Sequence, residues 1–197
     1  MSDVTKLCDT APVTGAAGSA PGAGNAPAAA KPDPDAWKKQ LEGKSEKVQK
    51  ALINHHSKYN CAQAVALAFA PETGMDPGTL ARLSSSFGGG LGRLREVCGA
   101  VSGMAIVAGL LYGYDDPADG QAKAAHYERI QTLAKKFEAE NGSIICRELL
   151  GLNRKHDAPV PEARSADFYK KRPCRELVGM AAEILDEYIN NNPPKEG

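Results

Sequence analysis

Residues 97–114 read VCGAVSGMAIVAGLLYGY, eighteen positions without a charge. A membrane-spanning helix needs about 20 consecutive apolar residues, so the run has to be weighed as one. Gly99, Gly103, Gly109 and Gly113 interrupt it, together with Cys98 and Ser102, and the run stands alone in the chain. Neither an aromatic belt nor a charge asymmetry flanks it. An apolar segment of this kind reads instead as a buried central helix from near Cys98 to Tyr112, around which other helices pack.

The flanking sequence supplies those helices. Ser45 caps one that runs to about Lys58, with Val48, Leu52 and His55 on one face. Asn60 caps a second over Cys61–Ala70, which Pro71 is expected to stop. Asp76 followed by Pro77 opens a short helix to about Ser86, and Phe87-Gly88-Gly89-Gly90-Leu91-Gly92 reads as a loop. Beyond the central helix, Asp116-Pro117 is expected to start another, whose apolar face is Tyr127, Ile130, Ala134 and Phe137 and whose stop is Asn141-Gly142. Ser143 caps a short helix through Cys146 to Leu150. A last helix runs from Cys174 to about Ile189, with a seam of Leu177, Val178, Ala181, Ile184, Leu185 and Tyr188. No alternating strand pattern appears. The fold class is therefore all-α, a compact bundle of five to seven helices around a Gly/Ala-rich buried centre.

A chain of 197 residues, 42% apolar, holds one such domain. Ala, Gly and Pro supply 19 of the 28 residues from 9 to 36. Such a stretch buries too little apolar surface to offset its ordering entropy, so residues 1–36 are expected to be a disordered tail. The helical domain is expected over 37–192, with a disordered end at 193–197. Lys+Arg and Asp+Glu are both 24, so no global basic field exists to hold a nucleic acid, and aromatics at 6% offer few stacking surfaces. The first residues lack a basic run followed by an apolar stretch, so no intact secretory signal is seen and a cytoplasmic location is expected. Cys8 reads as an incidental thiol of the tail.

The other four cysteines carry the chemistry. Cys61, Cys98, Cys146 and Cys174 are separated by 37, 48 and 28 positions. No Cys-x-x-Cys of a zinc knuckle or thioredoxin-like site occurs, and no Cys-x-x-Cys-His for attached haem. Each lies at or near the first turn of an expected helix, where free N–H groups and the helix dipole favour a thiolate. Arg93 and Arg95 before Cys98, Arg147 after Cys146, and Arg172 and Arg175 around Cys174 favour it further. The segments Cys146-Arg147-Glu148-Leu149 and Cys174-Arg175-Glu176-Leu177 repeat one tetrapeptide. Gly88, Gly89 and Gly90 can adopt positive φ and turn N–H groups toward sulfur or an anion. Gly99 and Gly103 clear one face of the central helix for a close crossing or a cofactor. The bland alternatives stay open: buried inert thiols, ordinary surface charge and a loop too tight for side chains.

Tyr59-Asn60-Cys61-Ala62-Gln63-Ala64-Val65, Phe87-Gly88-Gly89-Gly90 and Val97-Cys98-Gly99-Ala100-Val101-Ser102-Gly103, followed by Cys146 and Cys174, resemble the family of redox-active proteins named for the C-GCAxxG-C-C signature. The resemblance covers roughly residues 45–189. A related domain occurs in split-Soret cytochromes, dimeric proteins in which an iron–sulfur centre accompanies haem; their haem-binding region has no counterpart here. The resemblance implies that Cys61, Cys98, Cys146 and Cys174 are metal ligands of an iron–sulfur cluster, with Gly89, Gly90 and Gly99 beside the cofactor. It implies electron transfer or redox sensing with a redox partner protein, and is compatible with a homodimer. Two alternatives compete. One is a metal-free thiol–disulfide or persulfide carrier using Cys61/Cys98 and Cys146/Cys174; the other is a zinc or copper thiolate module. His55 and His56 are secondary ligand candidates; His126 and His156 have no evident partner. No phosphate loop and no Ser/His/Asp arrangement can be argued.

Overall fold

The computed structural model describes residues 36–161, 163, 165 and 172–194. The tail expected over 1–36, with Cys8, therefore lies outside the described residues up to position 35, as do 195–197. The described residues form helices without strands. A 3-10 turn, Ala36–Leu41, precedes α1 (Glu46–His56), α2 (Cys61–Ala68), α3 (Ala70–Thr73), α4 (Pro77–Ser85), α5 (Gly99–Tyr112), α6 (Gly120–Asn141), α7 (Cys146–Leu149) and α8 (Cys174–Asn191). The all-α expectation holds, with eight helices among these residues because two four-residue turns join six longer ones. No helix among them is long and apolar enough to cross a membrane.

Several boundaries follow directly from caps. The Ser45 hydroxyl accepts the Val48 N–H, and Asp76 Oδ2 accepts the Thr79 N–H at 2.8 Å, opening α1 and α4. Gly142, with φ 80°, closes α6. Two expectations need correction. Pro71 does not end the helical path. The break falls at Phe69, and Pro71 sits in the first turn of α3, where its missing N–H has no partner to lose. Likewise α6 starts at Gly120 and not at Asp116-Pro117. Asp116 Oδ1 accepts the Ala118 N–H in a local turn, and the cap is Asp119, which accepts the Ala122 N–H at 2.8 Å.

The core is aliphatic, as the composition requires. Phe69, Phe137, Leu80, Met104 and Leu185 are its largest fully buried side chains. The central α5 buries Ala100, Val101, Gly103, Met104, Val107 and Ala108. Its other face is less enclosed than expected: Ala105 and Ile106 are half-buried and Leu110 is exposed. Gly103 sets the crossing with α2, since a Cβ there would lie 2.8 Å from the Ala62 carbonyl oxygen and 2.9 Å from Val65 Cβ. In α8, Gly179 lies against Leu52 of α1. The apolar face of α6 is narrower than its spacing suggests. Leu133 and Phe137 are buried, Ile130 and Ala134 half-buried, and Tyr127 exposed.

Between α4 and α5 the chain makes an unusual turn. Gly89, Gly90, Leu91, Gly92 and Arg93 all have φ between 57° and 72°, five consecutive left-handed residues. Each non-glycine residue costs about 1–2 kcal/mol in that region, which accounts for glycine at three of the five positions. The turn delivers the chain to Val97, which pairs with Ile145 in an isolated antiparallel bridge.

Candidate functional site

Cys61 is the first residue of α2. Asn60 Oδ1 accepts the Gln63 N–H at 3.0 Å, while Gln63 Oε1 accepts the Asn60 N–H at 3.1 Å, a reciprocal capping box. The remaining amide groups reach outward: Asn60 Nδ2 donates to the Ser85 carbonyl and Gln63 Nε2 to that of Ala81. One tetrapeptide thus caps the helix, presents the thiol and ties α2 to α4. The role of Gln63 escaped the sequence reading, although the Asn-x-x-Gln spacing carries it.

Cys98 and Cys146 are joined through the bridge. The Cys98 N–H donates to the Ile144 carbonyl at 2.8 Å and the Cys146 N–H to that of Glu96 at 2.6 Å. Residues 48 positions apart are thereby held side by side by backbone. Cys98 is the N-cap of α5, Cys146 opens α7 and Cys174 opens α8. All four cysteines line one cavity of about 810 Å³, along with Gly89 and Gly99. Gly90 stands behind it; a Cβ there would lie 2.7 Å from Cys146 Cβ. At Gly99 a Cβ would lie 2.9 Å from the Phe87 carbonyl oxygen and 3.1 Å from Cys61 Cβ. These glycines serve close packing against the cysteines. The N–H groups of Leu91, Gly92, Arg93, Arg95 and Glu96 bond to carbonyls of residues 86–90, which folds the loop back on itself.

The thiols are not the acidic groups that helix starts alone would make. Cys61 and Cys174 hydrogen-bond to each other, and this contact, with burial, raises the Cys61 thiol well above its ordinary value. The pair in contact is therefore neither of the two couples considered from the sequence. Burial pushes Cys98 up to about 12, although the N–H groups of Ala100 and Val101 act in the opposite direction. Cys146 is also raised by burial, against the pull of Arg95, whose Nη1 lies 3.7 Å from its sulfur. Desolvation outweighs the helix-terminus effect at these sites.

Arg95 is 2% exposed and serves Cys146, not the sequence neighbour Cys98. Its Nε donates to Asp157 Oδ2 at 2.9 Å, and its Nη2 bonds to the same oxygen. Asp157 also receives Arg93 at 3.3 Å and bonds to Arg154. Its carboxyl is held at about 2, first by Arg154 and then by Arg95, from an ordinary 3.8. No spacing rule pointed to Asp157, which lies 62 positions from Arg95. The other cations divide. Arg147 pairs with Glu96 at 2.8 Å, the ordinary surface arrangement, and Arg175 lies over the Trp37 ring. Arg172 lines the cavity. His55 is buried and lines it too, whereas His56 stacks on Trp37 at 3.9 Å. His126 lies beside Arg129, and His156 is exposed.

The four donors surround the cavity without forming a ready coordination group: among the described residues no three His, Cys, Asp or Glu side chains are placed to hold one metal ion. Their chemistry, four soft sulfurs beside a buried guanidinium, nevertheless suits a thiophilic centre. The family model described as "Putative redox-active protein (C_GCAxxG_C_C)" matches residues 59–188. No curated protein and no solved structure matches the chain.

Proposed function

The chain belongs to the C_GCAxxG_C_C family of redox-active proteins, and from that premise we propose that its cavity binds an iron–sulfur cluster through Cys61, Cys98, Cys146 and Cys174, in the service of electron transfer or redox sensing. The observation that supports this is the arrival of four sulfurs, from four distant segments, on one cavity. A two-thiol chemistry would leave half of them without a task. When bound, the cluster supplies one-electron storage. The chain's own residues would set its environment. Arg95 offsets negative charge at Cys146, the N–H groups of Ala100 and Val101 face the Cys98 sulfur, and burial limits water. Ligation displaces protons from thiols whose pKa values are raised, so loading strengthens as pH rises. It also requires the donors to close from their spacing around the cavity.

The full chain, purified without oxygen, is expected to carry iron and sulfide in matched amounts, with visible absorbance and a reduced-state paramagnetic resonance signal. Each of the four cysteine-to-serine variants is expected to lower the iron content. A colourless, iron-free protein after anaerobic reconstitution refutes the reading.

The direct Cys61–Cys174 contact favours a second reading, reversible dithiol–disulfide exchange at that pair. Thiol titration after mild oxidation separates the two. Here Cys61→Ser and Cys174→Ser abolish the loss of titratable thiol, whereas Cys98→Ser does not.

A further inference from the structure

Arg95 holds a position that stability alone does not explain. Its φ is 62°, in the left-handed region that residues with a Cβ rarely adopt and that recurs at functional sites. Its N–H donates to the Gly89 carbonyl at 3.2 Å and its own carbonyl accepts the Arg147 N–H at 3.1 Å, so backbone on both sides fixes it. Its side chain is 3% exposed and meets an Asp157 side chain that is 4% exposed. An ion pair between two such groups repays its desolvation poorly. Nor does the junction between residues 93–95 and 154–158 need that pair. The Asp157 N–H already donates to the Arg93 carbonyl at 3.1 Å, and Arg93 Nε to the Ala158 carbonyl at 2.6 Å. Asp157 has Arg93, at 3.3 Å, and Arg154 as cationic partners besides Arg95.

Nε and Nη2 of Arg95 both donate to Asp157 Oδ2. A guanidinium is planar and rigid, so two donors converging on one oxygen fix both its plane and its direction within that plane. The remaining nitrogen, Nη1, then comes to rest 3.7 Å from Cys146 Sγ. We propose that Asp157 is a positioning residue of the site: without touching the sulfur, it aims Arg95 at Cys146, and so makes that sulfur prefer an anionic partner to a neutral one. This role is independent of the cluster reading and fails separately from it.

The test alkylates Cys146 in the full chain, reduced, metal-free and anaerobic, with iodoacetate and with iodoacetamide. Peptide mass spectrometry reads the ratio of carboxymethyl to carbamidomethyl product. In both reactions the thiolate forms the S–C bond and iodide leaves, so the ratio is independent of how much thiolate is present. Dividing by the ratio for the same thiol in urea removes the intrinsic difference between the reagents. The folded wild type is expected to favour iodoacetate about fivefold or more, and Arg95→Gln to abolish that preference. Asp157→Ala decides by sign. It removes a negative charge, so a carboxylate that only neutralised Arg95 would give a ratio above wild type; loss of aim gives one near that of Arg95→Gln. If the alanine variant does not fold, which rapid labelling of the buried Cys98 reports, Arg95→Lys decides in its place. It keeps a cation for Asp157 but lacks the fork, so its ratio is expected to fall as far as that of Arg95→Gln. An Asp157→Ala ratio at or above wild type, an Arg95→Lys or Arg95→Gln ratio equal to wild type, or a Cys146 that takes neither reagent overturns the proposal.

Discussion

Replacing Gly90 by alanine tests how the cysteines are brought together. Gly90 has φ 69°, and a Cβ at that position would lie 2.7 Å from Cys146 Cβ, 2.8 Å from the Glu96 nitrogen and 2.9 Å from its oxygen. Two costs follow. The left-handed conformation penalises a residue with a Cβ by about 1–2 kcal/mol. Overpacking adds about 1–3 kcal/mol, because two of the three opposing atoms are backbone and Glu96 is held by the bridge. The sum, about 2–5 kcal/mol, is a large share of the ~5–15 kcal/mol that holds a typical domain folded. Gly92→Ala is the matched control. It has φ 57° but nothing within 4 Å among the described residues, so it carries the conformational cost alone. Equilibrium urea unfolding of both variants, analysed with a common slope, isolates the steric part. Gly90→Ala is expected to be the less stable by at least about 1 kcal/mol. Equal destabilisation of the two would refute the reasoning, because contact with Cys146 and Glu96 would then not be what requires glycine.

Three further outcomes are expected. Asp157→Asn removes the carboxylate from a guanidinium that is 2% exposed and should lower stability by about 3–5 kcal/mol at neutral pH. Because the folded carboxyl titrates at about 2 rather than 3.8, the part of this stability that the shift carries, about 2 kcal/mol, is present above pH 4 and is lost as pH falls from about 4 through about 2; acid titration of the Asn variant should lack that limb. Asn60→Ala breaks the capping box and the bond to the Ser85 carbonyl, with an expected cost of about 0.5–2 kcal/mol and faster labelling of Cys61 by a thiol reagent. Phe137→Ala, at a fully buried site of α6, should cost about 3–5 kcal/mol in the same unfolding assay.

What the sequence disclosed is what depends on neighbours along the chain. Ser45, Asn60 and Asp76 act locally, each accepting an N–H three residues ahead. Gly142 stops a helix through its own φ. All four were legible, and so was the placement of Cys61, Cys98, Cys146 and Cys174 at helix starts. The errors arose where two local signals competed. Asp116 and Asp119 are both plausible caps by composition, and only Asp119 accepts from a residue inside the helix. Pro71 is a breaker in mid-helix and a favoured residue in a first turn, and the chain uses the second property. The convergence of sulfurs was not legible as geometry, because it depends on Val97 meeting Ile145 across 48 positions. Nor was thiol acidity, which burial governs here more than the helix dipole does.

The four cysteines differ in how firmly they are held, and that difference bears on the chemistry. Cys98 and Cys146 are fixed on both sides. Their backbone N–H groups enter the bridge region, and the Cys146 sulfur faces Arg95, itself anchored by the buried Asp157. Displacing either means breaking backbone hydrogen bonds or leaving a buried carboxylate without its guanidinium, each costly in a poorly solvated site. Cys61 and Cys174 are the first residues of α2 and α8, are half-buried, and meet through their side chains. A change of rotamer is enough to part them or to turn either sulfur toward a third centre. One couple thus provides a rigid reference and the other the adjustable ligands or the exchanging pair. Any closure of four donors on a common centre would fall mainly on Cys61 and Cys174.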